Sequence, residues 1–214
     1  MILAVDGTAA SGKGTLARRL AAHYGLAYLD TGTLYRAVGA HLLAHGASPS
    51  DTAKAVAAAE ALDLEAIDEN AIRTAAAGEA ASVVAAIPEV RAALLQRQRD
   101  FAAHPPEGMR GAVLDGRDIG TVVCPEADAK LYVEAIPRVR AHRRWLELKQ
   151  HDPHLREEDV LADIEKRDAR DRDRKDAPMR AADDAYLLDT SNLSIEEAFN
   201  AAVAIVEKVA AAKA

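Results

Sequence analysis

Residues 7–15 read Gly7-Thr8-Ala9-Ala10-Ser11-Gly12-Lys13-Gly14-Thr15, following the apolar run Ile2-Leu3-Ala4-Val5 and leading into an amphipathic segment over 13–23. A short apolar run closed by a glycine-rich turn reads as a buried strand. Gly7 and Gly12 let the backbone turn so that successive N–H groups point inward at phosphate oxygens. Lys13 opens the next helix, so its ammonium and the positive helix N-terminus act on one anion. The stretch is a phosphate cradle. It departs from the usual pattern at one point: Gly14 stands where a hydroxyl residue commonly ligates Mg²⁺, and the hydroxyl follows at Thr15.

Working outward, strand-like runs recur at 2–5, 26–29, 112–114, 130–134 and 186–188. Helical patterns lie between and after them at 13–23, 33–45, 52–62, 72–87, 89–103, 138–151, 157–174 and 195–212. Alternation of this kind predicts a parallel sheet with helices on both faces. A phosphate loop after the first strand then puts the active site at the carboxyl ends of the strands. Pro88, Pro105, Pro106, Pro137 and Pro153 punctuate the helices, and no repeat is present.

Composition bounds the function. The 214 residues suffice for one well-packed domain with inserted lobes. The formal net charge is −7 and no long basic tract stands unopposed, which argues against nucleic acid or an anionic membrane as partner. The one cysteine, Cys124, lies in an apolar context and reads as a small core residue, so there is no disulfide framework. No basic leader precedes an apolar segment of about 7–15 residues, and no run approaches about 18 apolar residues. These features predict a cytoplasmic protein, and with no apolar stripe left over, a monomer.

Three further constellations carry chemistry. Asp30-Thr31-Gly32-Thr33-Leu34-Tyr35-Arg36, at the end of the second strand, delivers a hydroxyl, a tyrosine and a guanidinium to the sheet's carboxyl edge, where they could hold a second anion. Asp30 or Thr31 could equally cap the next helix. Leu114–Val123, LDGRDIGTVV, is an apolar strand ending in Asp115, the kind of carboxylate that anchors Mg²⁺ through water; Arg117 and Asp118 follow in the same loop and could simply neutralise each other. In the run 166–178, Arg167, Arg170 and Arg174 stand at i, i+3 and i+7, so on a helix they share one face and can grip phosphoryl oxygens opposite the loop. Asp168 and Asp171 then relieve self-repulsion along that helix.

The set GxxxxGKGT, D-T-G-x-x-Y-R, ASxVAAxPxVR at 81–91, DGRDIGTVV and R-D-x-R-D-x-x-R at 167–174 resembles the bacterial cytidylate kinases, in order and over nearly the whole chain. The resemblance implies a three-layer α/β P-loop kinase fold with a five-stranded parallel sheet, a reduced NMP-binding lobe and a helical lid. It implies one domain over 1–214, with a core of 1–30, 108–148 and 179–214, an NMP-binding region at 31–107 and a lid at 149–178. The lobe is expected to be reduced because only residues 63–70 fill a place where members commonly carry a small strand-containing insertion.

The same resemblance implies transfer of the terminal phosphoryl group of ATP, with Mg²⁺, to CMP or dCMP. ATP is then bound by Gly7, Thr8, Ala9, Ala10, Ser11, Gly12, Lys13, Gly14 and Thr15, and Mg²⁺ by Thr15 and, through water, Asp115. Ser82, Arg91 and Asp118 are expected to read the cytosine edge. Thr31, Arg36, Arg117 and Arg174, beside Tyr35, are expected to hold the acceptor phosphate, with Arg167 and Asp171 at the sugar. Lys13, Arg117, Arg170 and Arg174 are the expected catalytic groups. Other readings are a small kinase of a different acceptor and a nucleotide-binding regulatory ATPase whose arginines contact a protein.

Overall fold

The N-terminal apolar run forms β1 (Ile2–Gly7), which β2 (Ala27–Asp30), β3 (Ala112–Gly116), β4 (Ala129–Glu134) and β5 (Tyr186–Asp189) join in one sheet ordered β2-β3-β1-β4-β5. This is a computed structural model describing residues 1–63, 66–150 and 152–213. Every pairing is parallel, and β1 is registered on both sides, Val5 lying opposite Asp115 and opposite Leu131. All five expected strands are present, and each extends by a residue or two at one or both ends, except β2, which starts one residue later.

Alternation along β1 assigns its side chains to two layers. Leu3 and Val5 pack with Leu16 and Leu20 of α1 (Lys13–Tyr24) and with Ala202 and Val206 of α9 (Ile195–Lys213). Ala4 faces the other way, into a cluster with Leu114, Ile119 and Val123. Fully burying a side chain such as Leu3 or Val5 stabilises the fold by about 1.5–3 kcal/mol. The result is three layers with the β1 loop emerging at the centre of the carboxyl edge.

Between β2 and β3 the chain builds a helical lobe from α2 (Thr31–Ala44), α3 (Thr52–Glu60), α4 (Glu69–Ile72), α5 (Ala75–Val84) and α6 (Pro88–Ala103). It has its own core of Leu34, Val38, Leu42, Val84, Val90 and Leu94. The helix expected over 72–87 is α5, shorter at both ends, and a separate one-turn helix, α4, precedes it. Asp68 accepts from Asn70 N (2.8 Å) to start α4, and Thr74 accepts from Ala77 N (3.1 Å) to start α5. Residues 64 and 65 of the short 63–70 connection lie outside the described residues.

α7 (Pro137–Leu148) and α8 (Glu157–Asp173) form a second outlying unit around Ala141, Val160 and Ile164, with Trp145, Leu155 and Ala10 packed against them. Residue 151, where a helix over 138–151 was expected to finish, lies outside the described residues, and α7 stops at Leu148. α8 stops at Asp173, leaving Arg174 beyond its end. After β3 comes a single wide turn over Ile119–Val123, in which Cys124 N donates to Ile119 O (2.7 Å) and Val123 N to Asp118 O (3.2 Å), a π-type spacing. No helix among the described residues is long and apolar enough to cross a membrane.

Candidate active site

The loop between β1 and α1 is shaped by what its glycines permit. A Cβ on Gly7 would lie 1.9 Å from Val133 O, so only glycine lets β1 end against β4. Gly12, at φ +86°, caps α1 in the left-handed region that glycine adopts freely, and Ala10 is held at φ +58°. The loop carbonyls are tied from other segments: Arg140 Nη1 donates to Ala9 O (3.0 Å) and Thr190 Oγ1 to Ser11 O (2.8 Å). Within the loop Ser11 Oγ donates to Thr8 O (3.0 Å).

Lys13 Nζ lies 3.3 Å from Asp115 Oδ1 at the end of β3. Burial, then Arg117, lowers the lysine pKa, and Asp115 opposes them. Burial raises the Asp115 carboxyl, against Lys13. Tyr28 OH donates to Asp115 Oδ2 (3.3 Å), while Oδ1 is met by the Lys13 ammonium. A Cβ at residue 14 would come within 3.1 Å of Asp115 Oδ2, which explains glycine where a hydroxyl residue is usual. Thr15 is exposed beside it. These groups fit Mg²⁺, a hard cation that takes one or two protein ligands and completes its shell with phosphate and water oxygens. Among the described residues no cluster of three His, Cys, Asp or Glu side chains offers an all-protein metal site.

Facing the loop is a collection of guanidiniums. Arg167 is pushed down to about 10, by burial first and then by Arg117, Arg36 and Arg144, with Asp171 opposing. Its Nε is buried without a partner. Arg117 Nε pairs with Asp171 Oδ2 (3.1 Å), and Arg174 Nη1 lies 4.0 Å from Asp171 Oδ1. Burial works to raise the Asp171 carboxyl, but Arg117, Arg167 and Arg174 together hold it below the usual value. Arg36 Nη1 donates to Ile72 O (3.2 Å). Crowded, partly unpaired cations in a desolvated pocket create an anion site.

Beyond them, Arg91 and Asp118 form a buried ion pair, with the Arg91 guanidinium carbon 5.8 Å from the Tyr35 ring centroid. Burial raises the Asp118 carboxyl, with Arg91 and Arg174 opposing. Asp30 caps α2 by accepting from Gly32 N (2.9 Å), whereas Thr31 is buried and donates to Asp115 O (2.8 Å).

Lys13, Thr31, Tyr35, Arg36, Arg91, Asp115, Arg117, Asp118, Arg167, Asp171 and Arg174 therefore converge in linked contacts. Arg117 and Asp118 do not neutralise each other; each has a partner from another segment. Arg170 does not join the expected arginine face. It donates to Ser82 Oγ (2.7 Å) and Glu79 Oε1 (2.8 Å) on α5. Asp168 is not a solvated counter-charge either: it is 1% exposed and paired with Arg140 at 2.6 Å. Sequence reasoning missed Asp6, Arg140, Arg144 and Thr190. The one available signal was at Asp6, an acidic residue closing an apolar strand.

A family model described as cytidylate kinase matches residues 3–208. A cytidylate kinase of Rhodopseudomonas palustris is 60% identical over 213 residues, covering 100% of this chain and 99% of that one. Another, from Xanthobacter autotrophicus, is 62% identical over 207 residues and 97% of each chain. Such coverage leaves little room for a lobe that these relatives have and this chain lacks. A solved, uncharacterized protein from Eubacterium ventriosum aligns with a TM-score of 0.55 at 12% identity over 97% of this chain and 98% of that one, a likeness of fold.

Proposed function

The chain belongs to the cytidylate kinase family and transfers the terminal phosphoryl group of ATP to CMP or dCMP; from that premise we propose how its residues divide the work. The observation that carries the assignment is the Arg36, Arg117 and Arg167 cluster with its unpaired buried Nε, lying between the phosphate loop and the Arg91–Asp118 pair. It is a place for a second phosphate and the sugar that carries it, with a base beside them.

ATP phosphates lie along Gly7–Thr15, where Lys13 neutralises charge on the β and γ groups. Thr15 and, through water, Asp115 would hold Mg²⁺, which would neutralise charge on the same phosphates. Arg36, Arg117 and Arg174, with Thr31 and Tyr35, hold the acceptor phosphate in line with the γ-phosphorus. One oxygen of the CMP phosphate bonds to that phosphorus as the bond to the β–γ bridging oxygen breaks, and ADP leaves with the electron pair. The attacking oxygen needs no general base, since a phosphate monoester has a second pKa of about 6. Positioning and charge stabilisation supply the catalysis, and arginine contacts to a transferring phosphoryl group are worth ~10³–10⁵ in rate.

Selectivity follows from donor and acceptor patterns. Asp118 accepts from the cytosine amino group, with Arg91 and Ser82 at the rest of that edge. Uracil would turn a carbonyl toward the carboxylate and leave both unpaired. Arg167 and Asp171 approach the sugar. The core spans 1–30, 108–148 and 179–214, residues 31–107 form the acceptor lobe, and residues 149–178 form the lid, which excludes water as a competing acceptor when closed. The enzyme acts as a cytoplasmic monomer.

ADP release from ATP and Mg²⁺ with CMP, dCMP, UMP, AMP or no acceptor tests this reading. Strong turnover with CMP and dCMP alone is expected. Broad turnover would remove Ser82, Arg91 and Asp118 from base recognition, and acceptor-independent hydrolysis would contradict the kinase assignment.

A further inference from the structure

Asp118 occupies the N-cap position of the wide turn over Ile119–Val123, and an aspartate there ordinarily turns its carboxylate onto the leading amides of its own helix. Here it makes no such bond, because its carboxylate pairs with Arg91. The amides are satisfied from elsewhere. Ile119 N donates to Asp6 Oδ1 and Gly120 N to Asp6 Oδ2, both at 2.7 Å. Asp6 is 4% exposed and is the last residue before the phosphate loop begins at Gly7.

We propose that Asp6 is a positioning residue for base selection: it caps the turn in place of Asp118 and so leaves the Asp118 carboxylate free to face Arg91 and the acceptor base. Without it two buried N–H groups lack acceptors, and Asp118, the N-cap residue of the same turn, carries a carboxylate able to serve them. Swinging onto its own turn, Asp118 would leave Arg91 and lose its discrimination between an amino group and a carbonyl. The donor phosphate loop and the acceptor-reading loop thus share one carboxylate. The inference rests on the assignment of Asp118 to the base.

The test compares kcat/KM for CMP with that for UMP, alongside KM for ATP, in the intact chain and in Asp6→Asn, Gly120→Ala and Asp118→Ala. Asparagine keeps the shape of Asp6 but sets an N–H₂ against one of the two amides. A Cβ on Gly120 would stand 3.0 Å from Lys130 Cδ and 3.4 Å from Asp6 Oδ2, crowding the same contact with Asp6 left in place. Displacing a positioned group by about 1 Å costs up to roughly a hundredfold in rate. Accordingly, Asp6→Asn is expected to lower the CMP to UMP ratio at least tenfold, largely through KM for CMP, with KM for ATP changed by less than about threefold. Gly120→Ala is expected to shift the ratio the same way.

An unchanged ratio in folded Asp6→Asn overturns the proposal, as does an equal loss on the ATP side. If Asp6→Asn does not fold, an unchanged ratio in Gly120→Ala has the same force. Asp118→Ala separates the two levels. If it leaves the ratio intact, the base assignment has failed; if it collapses the ratio while the other variants do not, the role of Asp6 alone has failed.

Discussion

Arg167, Arg170 and Arg174 sit at spacings that put them on one helical face, yet their neighbours send them apart. Arg167 stays inward with a bare Nε, Arg170 crosses to Ser82 and Glu79, and Arg174 leaves the helix and donates to Ala177 O. A guanidinium goes where acceptors are, and periodicity does not name them. Asp6 carries a different lesson. Burial, with Asp118 and Asp115 adding to it, pushes its carboxyl from 3.8 up to about 7 against its two amide donors. The native chain therefore binds this proton more tightly than the unfolded chain does, so the stability it contributes is whole below about pH 4 and is lost as pH rises through about 7. The difference in unfolding free energy between the intact chain and Asp6→Asn, from denaturant titrations, should move by up to roughly 4 kcal/mol across that window. A pH-independent difference would count against it.

At the scale of elements, one buried side chain fastens three of them. Arg140 of α7 donates to Ala9 O in the phosphate loop, to Ala135 O after β4, and to Asp168 of α8. Removing one partner of a buried pair strands the other charge, at a cost of about 3–5 kcal/mol. Arg140→Met and Asp168→Asn should each lower the urea midpoint accordingly, and combining Arg140→Met with Asp168→Leu should recover much of the loss. Additive losses would show that the pair itself is not the source. Elements of this kind were only partly legible. The strands were, because each is an apolar run bounded by turn residues, and so was the phosphate loop, whose chemistry lies in adjacent residues. The start of α5 was placed three residues early although Thr74 marks it, and the one-turn α4 was missed, because a single turn is too short to show a helical period. The wide turn and its distant cap were not legible, since Asp6 and Ile119 meet only after the sheet has aligned β1 with β3.

For the whole molecule, the outlying helices rest on each other across the site. Arg170 and Lys166 of α8 reach Glu79 of α5 at 2.8 and 3.4 Å. Glu79 is half exposed, and pairs of that kind contribute about 0.2–1 kcal/mol and weaken with salt. Glu79→Gln should therefore speed amide hydrogen exchange in α8 a few-fold at most, with added salt producing a similar change in the intact chain. A change of a hundredfold would mean that the contact holds α8 far more firmly than an exposed pair can.

The sheet order has a further consequence, for synthesis. β1 leaves the ribosome before the other four strands of its sheet, but its partners are residues 112–116 on one side and 129–133 on the other. At about 5–20 residues per second, the nascent chain waits several seconds or more before that central strand can pair at all. During this wait an apolar strand with two open edges depends on remaining unpaired, and the long sequence separation slows closure afterwards. The loop after β1 is thus made well before the strand that Gly7 packs against, so a nascent chain ending before β4 carries the loop's whole sequence without the wall that shapes its start.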